Sequence, residues 1–350
     1  MSDFNLNSMV RENVKRLKPY SSARDEFKDF DSDMIFLDAN ENPFENGVNR
    51  YPDPQQRNLK AELARQKNVS TENILLGNGS DEVLDLIFRA FCNPKKDNVI
   101  TLPPTYGMYS VLAETNDVKN REVLLDANFQ PNDAKILETV DVNTKLLFIC
   151  SPNNPTGNLF SAAIIEKLLV AFNGIIVIDE AYIDFANAES WLTKIDQYPN
   201  LIVTQTLSKA YGMAGIRLGI SFASSEIITV LNKIKPPYNV NELTQKRALQ
   251  RLIEKKLVTQ EVDKILSERK KLIIALEDVD FITKIYPTDA NFVLVKVDDA
   301  NKRYAQLVKK GIVIRNRSTQ ALCKDTLRFT VGTSEENKKL IKALKDLSGL

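Results

Sequence analysis

The sequence predicts an α/β protein: a large domain with a mostly parallel central sheet and helices on both faces, followed by a smaller α+β domain. Between residues 74 and 223, short uninterrupted apolar segments alternate with segments of helical periodicity. This alternation is typical of strands that are buried on both faces of a sheet. Pro236-Pro237 then precedes helices and strands in a different order. A chain of 350 residues is long enough for both domains.

The elements of the large domain, residues 35–237, follow from the spacing of apolar residues. Residues 1–34 are predicted to form an arm with a short helix, packed with the smaller domain. Residues 35–43 are then predicted to form a brief strand broken by polar residues and a proline, and two prolines make residues 50–54 a loop. Further strands are predicted from residue 74 and at residues 98–102, 121–126, 145–150, 174–179, 201–207 and 218–223, with helices at 56–66, 83–91, 109–114 and 164–172.

The smaller domain, residues 238–350, mixes long helices with short strands. Helices are predicted at residues 242–253 and 258–276 and near 302–309 and 335–347, with strands at 281–286, 292–297, 312–316 and 327–331. The dense charges between residues 255 and 271 predict a solvated helix face.

The composition excludes several kinds of catalyst. The chain has no histidine, which removes Ser-His-Asp and Cys-His nucleophiles, histidine-ligated metals and imidazole acid–base catalysis. The 47 Lys and Arg residues nearly balance 46 Asp and Glu residues, so no basic field favours nucleic acid or a membrane. The three scattered cysteines predict buried thiols in a reducing compartment. With a polar N-terminus and no apolar run of membrane-spanning length, we expect a cytoplasmic protein without a metal site.

One lysine follows a predicted buried strand. Lys209 comes after the apolar residues 201–207 and before Gly212, Gly215 and Gly219, a spacing that predicts close backbone packing and little water. Burial disfavours the ammonium form, and the free amine can attack a carbonyl group. The alternative is a solvated lysine, which is the usual state of this side chain. The neighbouring motifs decide between the two.

A glycine-rich turn is predicted to bind a phosphate group. Residues 77–82, Gly-Asn-Gly-Ser-Asp-Glu, connect an apolar strand to a helix, where free N–H groups and the helix dipole attract anions. A turn in which Ser80 caps the helix would have the same sequence. The residues predicted to hold the phosphorylated ligand are Gly79, Ser80, Asp81, Thr206, Ser208 and Arg217.

Other polar residues also follow predicted strands. Asp179 and Tyr182 follow one strand, and Asn154 lies in the turn at residues 151–157. Ligands of open α/β sheets bind at the carboxyl ends of the strands, and a carboxylate that ends a buried strand needs a partner. Taken alone, the turn is a rigid connection, and Tyr106, in the motif at residues 103–107, is a packing residue.

Together these motifs resemble the class I and II aminotransferase superfamily, whose members have the fold type I of pyridoxal-phosphate enzymes. The segment at residues 208–219, Ser-Lys-Ala-Tyr-Gly-Met-Ala-Gly-Ile-Arg-Leu-Gly, carries the resemblance, which extends over nearly the whole chain. It implies that Lys209 forms a Schiff base with the cofactor and that Asp179 keeps the pyridine nitrogen protonated. It further implies that Tyr182 and Asn154 bind the phenolic oxygen and that Tyr106 stacks on the ring.

Further segments resemble the histidinol-phosphate aminotransferase family. They are residues 17–24, 37–43, 50–53, 313–318 and 327–333. The resemblance implies that Arg315 and Arg328 hold the anionic groups of the substrates, and that Tyr20 and Asn40 lie near the substrate. Tyr51 would reach the cofactor phosphate of a neighbouring subunit, which implies a homodimer with shared active sites.

The activity that the resemblance implies is a ping-pong transamination in histidine biosynthesis. L-histidinol phosphate and 2-oxoglutarate would be converted to imidazole acetol phosphate and L-glutamate. Lys209 would act as general acid and base, with Asp179 and Tyr182 as the other catalytic residues. An aromatic-amino-acid aminotransferase and a threonine-phosphate decarboxylase stay open, because they share the cofactor motifs. A non-catalytic regulator that binds pyridoxal phosphate would usually carry a DNA-binding segment, for which the sequence before Tyr20 leaves no room.

Overall fold

The structure is a computed structural model that describes residues 4–20, 24 and 35–348. Two sheets organise this part of the chain. The strands of the first sheet are β1 (Ile74–Asn78), β2 (Asn98–Thr101), β3 (Lys119–Glu122), β4 (Thr144–Cys150), β5 (Ile175–Asp179), β6 (Leu201–Thr206) and β7 (Leu218–Ala223). The strands of the second are β8 (Ile282–Ile285), β9 (Phe292–Val297), β10 (Arg315–Asn316) and β11 (Thr326–Thr330).

Helices connect and cover these strands. The α-helices are α1 (Leu6–Met9), α2 (Glu12–Arg16), α3 (Arg57–Lys67), α4 (Ser80–Phe91), α5 (Met108–Thr115), α6 (Asp133–Thr139), α7 (Ala162–Ala171), α8 (Ser225–Ile234), α9 (Glu242–Ile253), α10 (Lys255–Glu277), α11 (Ala300–Lys309) and α12 (Ser334–Ser348). Short 3₁₀ turns lie at Thr71–Asn73, Ile183–Phe185, Trp191–Lys194 and Ala214–Ile216. Within the described residues, no helix combines the length and the apolar character needed to cross a membrane.

The first sheet has the strand order β1-β7-β6-β5-β4-β2-β3. Strands β2 to β6 run parallel to one another, and β7 is antiparallel to both β1 and β6. Along β5, Ile175 and Val177 belong to one apolar core and Ile176 and Ile178 to another, so both faces of the sheet are buried. The predicted fold class, a mostly parallel sheet between two layers of helices, is confirmed.

The second sheet is smaller and antiparallel, with the order β10-β11-β9-β8. Its core includes Leu272 and Leu276 from the end of α10, whereas Val258 and Val262 from the start of that helix pack into a core of the first sheet. The change from one core to the other therefore lies within α10. This is later in the chain than the boundary predicted after Pro237, because α9 packs against α3 of the large domain.

The N-terminal residues pack differently from the prediction. Met9, Val10 and Val14 join a core of the first sheet, and the Arg11 N–H donates to Ala90 O at 3.1 Å. Residues 4–15 thus pack with the large domain, because their apolar side chains cover helices α4 and α8, whereas residues 16–20 are exposed. The prediction that this arm packs on the smaller domain is corrected for these residues. Residues 21–23 and 25–34 lie outside the part of the chain that the structure describes.

The prediction of a brief strand at residues 35–43 is wrong. These residues form loops and bends, and the backbone of Asn40 has a φ of 54°. A residue in this left-handed conformation cannot continue an extended strand. The segment is held by ion pairs, in which the buried Arg24 contacts Asp38 at 3.3 Å and Glu41 at 2.8 Å.

Candidate active site

The carboxyl ends of three neighbouring strands meet at one edge of the first sheet. Cys150 of β4 lies opposite Asp179 of β5, which in turn lies opposite Thr204 of β6. The segments that follow these strands surround a cavity of about 140 Å³. The sequence-predicted cofactor residues that line it are Ser80, Asp81, Tyr106, Asn154, Asp179, Tyr182, Thr206, Ser208, Lys209 and Arg217.

Lys209 projects into this cavity. Its Nζ lies 5.7 Å from the centroid of the Tyr182 ring. Burial lowers the pKa of the Lys209 ammonium, and the positive charge of Arg328 lowers it further, while Asp179 opposes both effects. A larger share of free amine is therefore present at neutral pH than for a solvated lysine, which is what nucleophilic attack on a carbonyl requires.

Asp179 is a buried carboxylate at the end of β5, with 3% of its surface exposed. Tyr109 Oη donates to its Oδ2 at 2.8 Å, and the Ala181 N–H donates to its Oδ1 at 3.2 Å. Burial raises the pKa of this carboxyl group, and the hydrogen bond from Tyr109 opposes the rise. A cationic group in the cavity would stabilise the ionised carboxylate.

Tyr109 is a site residue that the sequence analysis missed. Its fully buried ring stacks on Phe148 of β4 with centroids 4.9 Å apart, on the same face of the sheet as Ile175 and Val177. Alternate residues of a strand share a face, so Asp179 points toward the same layer. That alternation is the signal in the sequence that places Asp179 on this face of the sheet, but it does not show which helix covers the face.

The glycine-rich turn leaves the N-terminal end of α4 without a side-chain cap. The residue before the helix is Gly79, and no side chain caps the helix, so Ser80 is the first helical residue rather than a cap. Gly79 has a φ of 85°, and a Cβ there would lie 2.5 Å from Nη2 of Arg217. The Arg217 guanidinium is therefore held over the free N–H groups of α4, 3.7 Å from Oδ2 of Asp81.

Close backbone packing supports this turn from the side of β7. A Cβ on Gly219 would lie 2.3 Å from the backbone N of Ser80, so only glycine lets the turn approach the strand. Gly212 and Gly215 do not have this role, because a Cβ on Gly212 would meet only Arg251 at 3.9 Å and one on Gly215 would meet nothing within 4 Å. The predicted close packing holds for Gly219 alone of the three.

Two hydroxyl groups lie beside the same turn. Thr206 Oγ1 accepts a hydrogen bond from the Ser208 N–H at 3.1 Å and lies 3.0 Å from Ser208 Oγ. Both side chains line the cavity with Arg217. Tyr106 closes another wall, where its Oη donates to Asp81 Oδ1 at 3.0 Å and its ring packs edge-on against Tyr109.

The second sheet places a cation, Arg328, against the lining residue Asn154, although Arg328 itself does not line the cavity. Arg328 of β11 donates from Nη1 to Oδ1 of Asn154, and its guanidinium lies 4.9 Å over the Phe292 ring. Burial lowers the pKa of Arg328 to about 10, so the group stays charged at neutral pH. The Tyr182 ring packs edge-on against the same Phe292, and burial raises the pKa of its hydroxyl. The site therefore lies where the two sheets meet.

The remaining predicted residues do not line the cavity. Arg315 is exposed, although it lies directly opposite Arg328 in the β10–β11 pair. Tyr51 is 49% exposed and stacks on Tyr238 with centroids 4.5 Å apart. Tyr20 is 73% exposed, and Asn40 is also exposed.

The donor set fits a phosphorylated pyridine aldehyde. A partly desolvated amine, a buried carboxylate able to pair with a protonated ring nitrogen, and an uncapped helix end beside an arginine line one cavity. The cavity walls also include the flat ring of Tyr106. An arrangement of this kind, on a mostly parallel sheet, defines the class of fold type I pyridoxal-phosphate enzymes.

Comparison with known proteins agrees with this class and narrows it. The chain belongs to the family "Aminotransferase class I and II", whose model matches residues 26–344. It is 66% identical to the histidinol-phosphate aminotransferase of Flavobacterium johnsoniae, over 99% of this chain and 100% of that protein.

Solved structures show the same fold. The histidinol-phosphate aminotransferase from Clostridium acetobutylicum superposes with a TM-score of 0.80 and 27% identity, covering 86% of this chain and 91% of that one. The enzyme of the same name from Sinorhizobium meliloti, in complex with pyridoxal-5'-phosphate, superposes with a TM-score of 0.78 and 24% identity, covering 86% of this chain and 83% of that one.

Proposed function

We propose that this protein is a pyridoxal-phosphate-dependent histidinol-phosphate aminotransferase, which exchanges an amino group between L-histidinol phosphate and 2-oxoglutarate. One observation carries the proposal: the Lys209 amine and the Asp179 carboxylate line the same cavity, at the ends of neighbouring parallel strands. The likeness to the Flavobacterium johnsoniae enzyme over the whole chain supports the choice of substrate. A cytoplasmic location stays a prediction from the sequence.

The residues of the cavity divide between holding the cofactor and moving protons. The N–H groups at the start of α4, the hydroxyls of Thr206 and Ser208, and Arg217 would hold the phosphate. Asp179 would accept a hydrogen bond from the protonated ring nitrogen, and Tyr106 would lie against the ring. When bound, pyridoxal phosphate supplies an aldehyde that reacts with amines and a ring that accepts an electron pair.

Lys209 is the proposed proton carrier. Because the pKa of its ammonium is lowered, Nζ can take a proton from the substrate carbon at neutral pH and return it to another carbon. The described part of the cavity offers no imidazole for this step, since the chain has no histidine. Tyr182 and the amide Nδ2 of Asn154 would donate to the phenolic oxygen of the cofactor, while Asn154 Oδ1 stays engaged by Arg328.

Arg328 and Arg315 are the proposed sites for the anionic groups of both substrates. They lie opposite each other on β11 and β10, so their side chains share one face of the second sheet. One substrate carries a phosphate and the other two carboxylates, and arginine forms bidentate contacts with either group. Arg328 is half-buried against Asn154 and Arg315 is exposed, which would let Arg315 adjust to groups at different distances.

Replacing Lys209 with alanine tests the core of the proposal. We expect loss of transamination and of the visible cofactor absorption, and borohydride treatment of the loaded wild type should leave a pyridoxyl label on Lys209. Lys95→Ala is the matched control, since the Lys95 side chain is 84% exposed and does not line the cavity. A Lys209→Ala variant that keeps substantial transaminase activity would refute the assignment.

The choice of amino donor separates the proposal from enzymes of the same fold. Histidinol phosphate, phenylalanine and threonine phosphate are compared as substrates with 2-oxoglutarate as acceptor. We expect the highest kcat/KM for histidinol phosphate. Preference for phenylalanine would indicate an aromatic aminotransferase, and carbon dioxide release from threonine phosphate would indicate a decarboxylase.

We also propose a homodimer in which Tyr51 completes the site of the other subunit. Support comes from exposed apolar residues around Tyr51, among them Phe44, Val48 and Leu243, which are 79%, 54% and 65% exposed. Tyr51→Ala and Lys209→Ala subunits should each be poorly active alone. Mixed under conditions that exchange subunits, they should recover about a quarter of wild-type activity, because roughly half the dimers are mixed and each holds one intact site. No recovery in demonstrably mixed dimers would contradict a shared site.

A further inference from the structure

Asn239, in the connection between α8 and α9, joins the two elements on either side of the glycine-rich turn. Its Nδ2 donates to Leu76 O at 3.0 Å and to Glu82 Oε2 at 2.8 Å. Leu76 belongs to β1, before the turn, and Glu82 is the third residue of α4, after it. Neither Asn239 nor Glu82 lines the Lys209 cavity, so both act on the turn from outside the site.

A third contact fixes the orientation of the Asn239 amide. Lys235 Nζ donates to Asn239 Oδ1 at 3.2 Å, so the amide oxygen faces an ammonium group. The amide nitrogen faces the Glu82 carboxylate, which makes that contact a charge-assisted hydrogen bond. Asn239 is half-buried, which shields these contacts from part of the competing water.

Glu82 holds a position from which a carboxylate competes with a bound anion. A glutamate at the third residue of a helix commonly reaches back to the N–H group of the residue before the helix. Here that N–H group, of Gly79, donates to Gly77 O at 2.9 Å instead. Glu82 Oε2 accepts from the Asn78 N–H. The carboxylate is thus held toward the end of β1, and the first turn of α4 is left to a ligand.

The carboxylate packs closely against the turn. A Cβ on Gly77 would lie 3.2 Å from Glu82 Oε2 and 2.7 Å from Val83 Cγ2, so Glu82 fits here because residue 77 has no side chain. Without Asn239, the Asn78 N–H would be the one hydrogen bond left to Glu82 among the described residues. The side chain would then be free to turn toward the start of α4, where its charge repels a phosphate and occupies the donors that bind it.

We propose that Asn239 is a positioning residue for the cofactor phosphate, because it holds the Glu82 carboxylate away from the N–H groups at the start of α4. This role rests on the proposed function, in which those N–H groups bind the phosphate of pyridoxal phosphate. Asn239 acts through Glu82 and Leu76 and does not touch the cofactor. Its loss should therefore affect recognition of the phosphate and not of the ring.

Binding of pyridoxal phosphate and of pyridoxal to the cofactor-free protein tests the proposal. The two molecules share the ring and the aldehyde and differ in the phosphate group. Absorbance titration in a phosphate-free buffer gives both dissociation constants without any turnover. Asn239→Ala should raise the dissociation constant of pyridoxal phosphate at least about tenfold and that of pyridoxal by less than about twofold.

Asn73→Ala is the matched control. Asn73 is also half-buried and donates from Nδ2 to Ala223 O at 2.8 Å, just before the other end of β1. This variant loses a similar amide contact, and the ratio of the two dissociation constants should stay that of the wild type.

Two further variants test the part played by charge. Glu82→Gln removes the charge that Asn239 restrains, so adding Asn239→Ala to it should raise the dissociation constant of pyridoxal phosphate by less than about threefold. Asn239→Asp keeps the size of the side chain but puts a second carboxylate beside Glu82. It should weaken binding of pyridoxal phosphate more than Asn239→Ala does.

The outcomes separate this role from the proposed function. Equal weakening of both ligands by Asn239→Ala, or unchanged binding of pyridoxal phosphate, would overturn the role of Asn239. A wild type that binds pyridoxal phosphate no more tightly than pyridoxal would instead refute the phosphate site of the proposed function.

Discussion

The hydroxyl of Tyr109 offers the sharpest test of how the site is built. Tyr109→Phe removes the Oη that donates to Asp179 Oδ2 at 2.8 Å and keeps the ring that stacks on Phe148. Both partners are buried, with Tyr109 fully inaccessible. A hydrogen bond to a charged group contributes about 1.5–3 kcal/mol, so the free energy of unfolding of the cofactor-free protein should fall by about that amount at pH 8.

The loss should depend on pH in a defined direction. Burial already raises the pKa of Asp179 in the folded state above its ordinary value of 3.8. The folded state therefore loses stability as pH rises from 3.8 through the folded-state pKa, because the carboxyl group then ionises inside the protein. Removing a donor that stabilises the ionised form raises this pKa further. Below the pKa of the unfolded state, the Asp179 carboxyl group is protonated in both the folded and the unfolded protein. Tyr109→Phe then removes only a neutral hydrogen bond, which contributes about 0.5–1.5 kcal/mol.

Urea denaturation of wild type and variant between about pH 4 and about pH 8 measures the effect. Tyr286→Phe is the matched control, because it removes the same hydroxyl from a half-buried ring that packs on Phe129, and should change stability by less than about 0.5 kcal/mol. A Tyr109→Phe loss that is equal at both ends of the pH range, or no larger than the control, would refute the reasoning. Such a result would mean that Asp179 is not ionised in the cofactor-free protein at pH 8.

Three further variants test other parts of the site and fold. Gly79→Ala places a Cβ 2.5 Å from Arg217 Nη2 and should weaken cofactor binding, measured by absorbance titration, at least about tenfold. Gly311→Ala is the control, because Gly311 has a similar φ of 77° and nothing lies within 4 Å of its Cβ. It should lower the free energy of unfolding only by a backbone strain of about 1–3 kcal/mol. Arg328→Met should raise KM for 2-oxoglutarate by about tenfold or more with little change in the cofactor spectrum, whereas the exposed Arg65→Met should leave KM unchanged. Asn241→Ala should lower the free energy of unfolding by about 1 kcal/mol, because Asn241 Oδ1 caps α9 by accepting from the Thr244 N–H at 2.9 Å. Asn241→Asp keeps an acceptor at this position and should retain most of the stability.

Local patterns were sufficient to predict most of the fold. Strands such as β4 and β5 are continuous apolar segments, and burial on both faces leaves them no other arrangement. The helices α6 and α8 were missed although their caps are visible in the sequence, with Asn132 accepting from the Lys135 N–H and Ser224 from the Ile227 N–H. The prediction of a strand at residues 35–43 failed because the left-handed backbone of Asn40 depends on its surroundings rather than on apolar spacing.

Long-range packing limited what could be predicted about the site. Lys209, Asn154 and Asp179 each follow a strand, so their common location followed from the parallel sheet alone. Tyr109 lies 70 residues before Asp179, and its contact depends on how α5 packs over β4 and β5. The same limit applies to the N-terminal residues. Their few apolar side chains are compatible with burial against either domain, and only their contacts with α4 show which domain buries them.

Two adjacent carboxylates show why the structure was needed to assign roles at the end of β5. Asp179 and Glu180 are both buried, and burial raises the pKa of both. Glu180 accepts hydrogen bonds from Ser190 Oγ, from Gln205 Nε2 at 2.9 Å and from the Trp191 N–H at 2.7 Å, so its charge is satisfied within the protein. Asp179 also borders the cavity, where a bound cation can reach it, while Glu180 does not. In the proposed function, the unfavourable burial of Asp179 would contribute to binding a protonated ring, whereas the hydrogen bonds of Glu180 hold the loop that follows β5 in place.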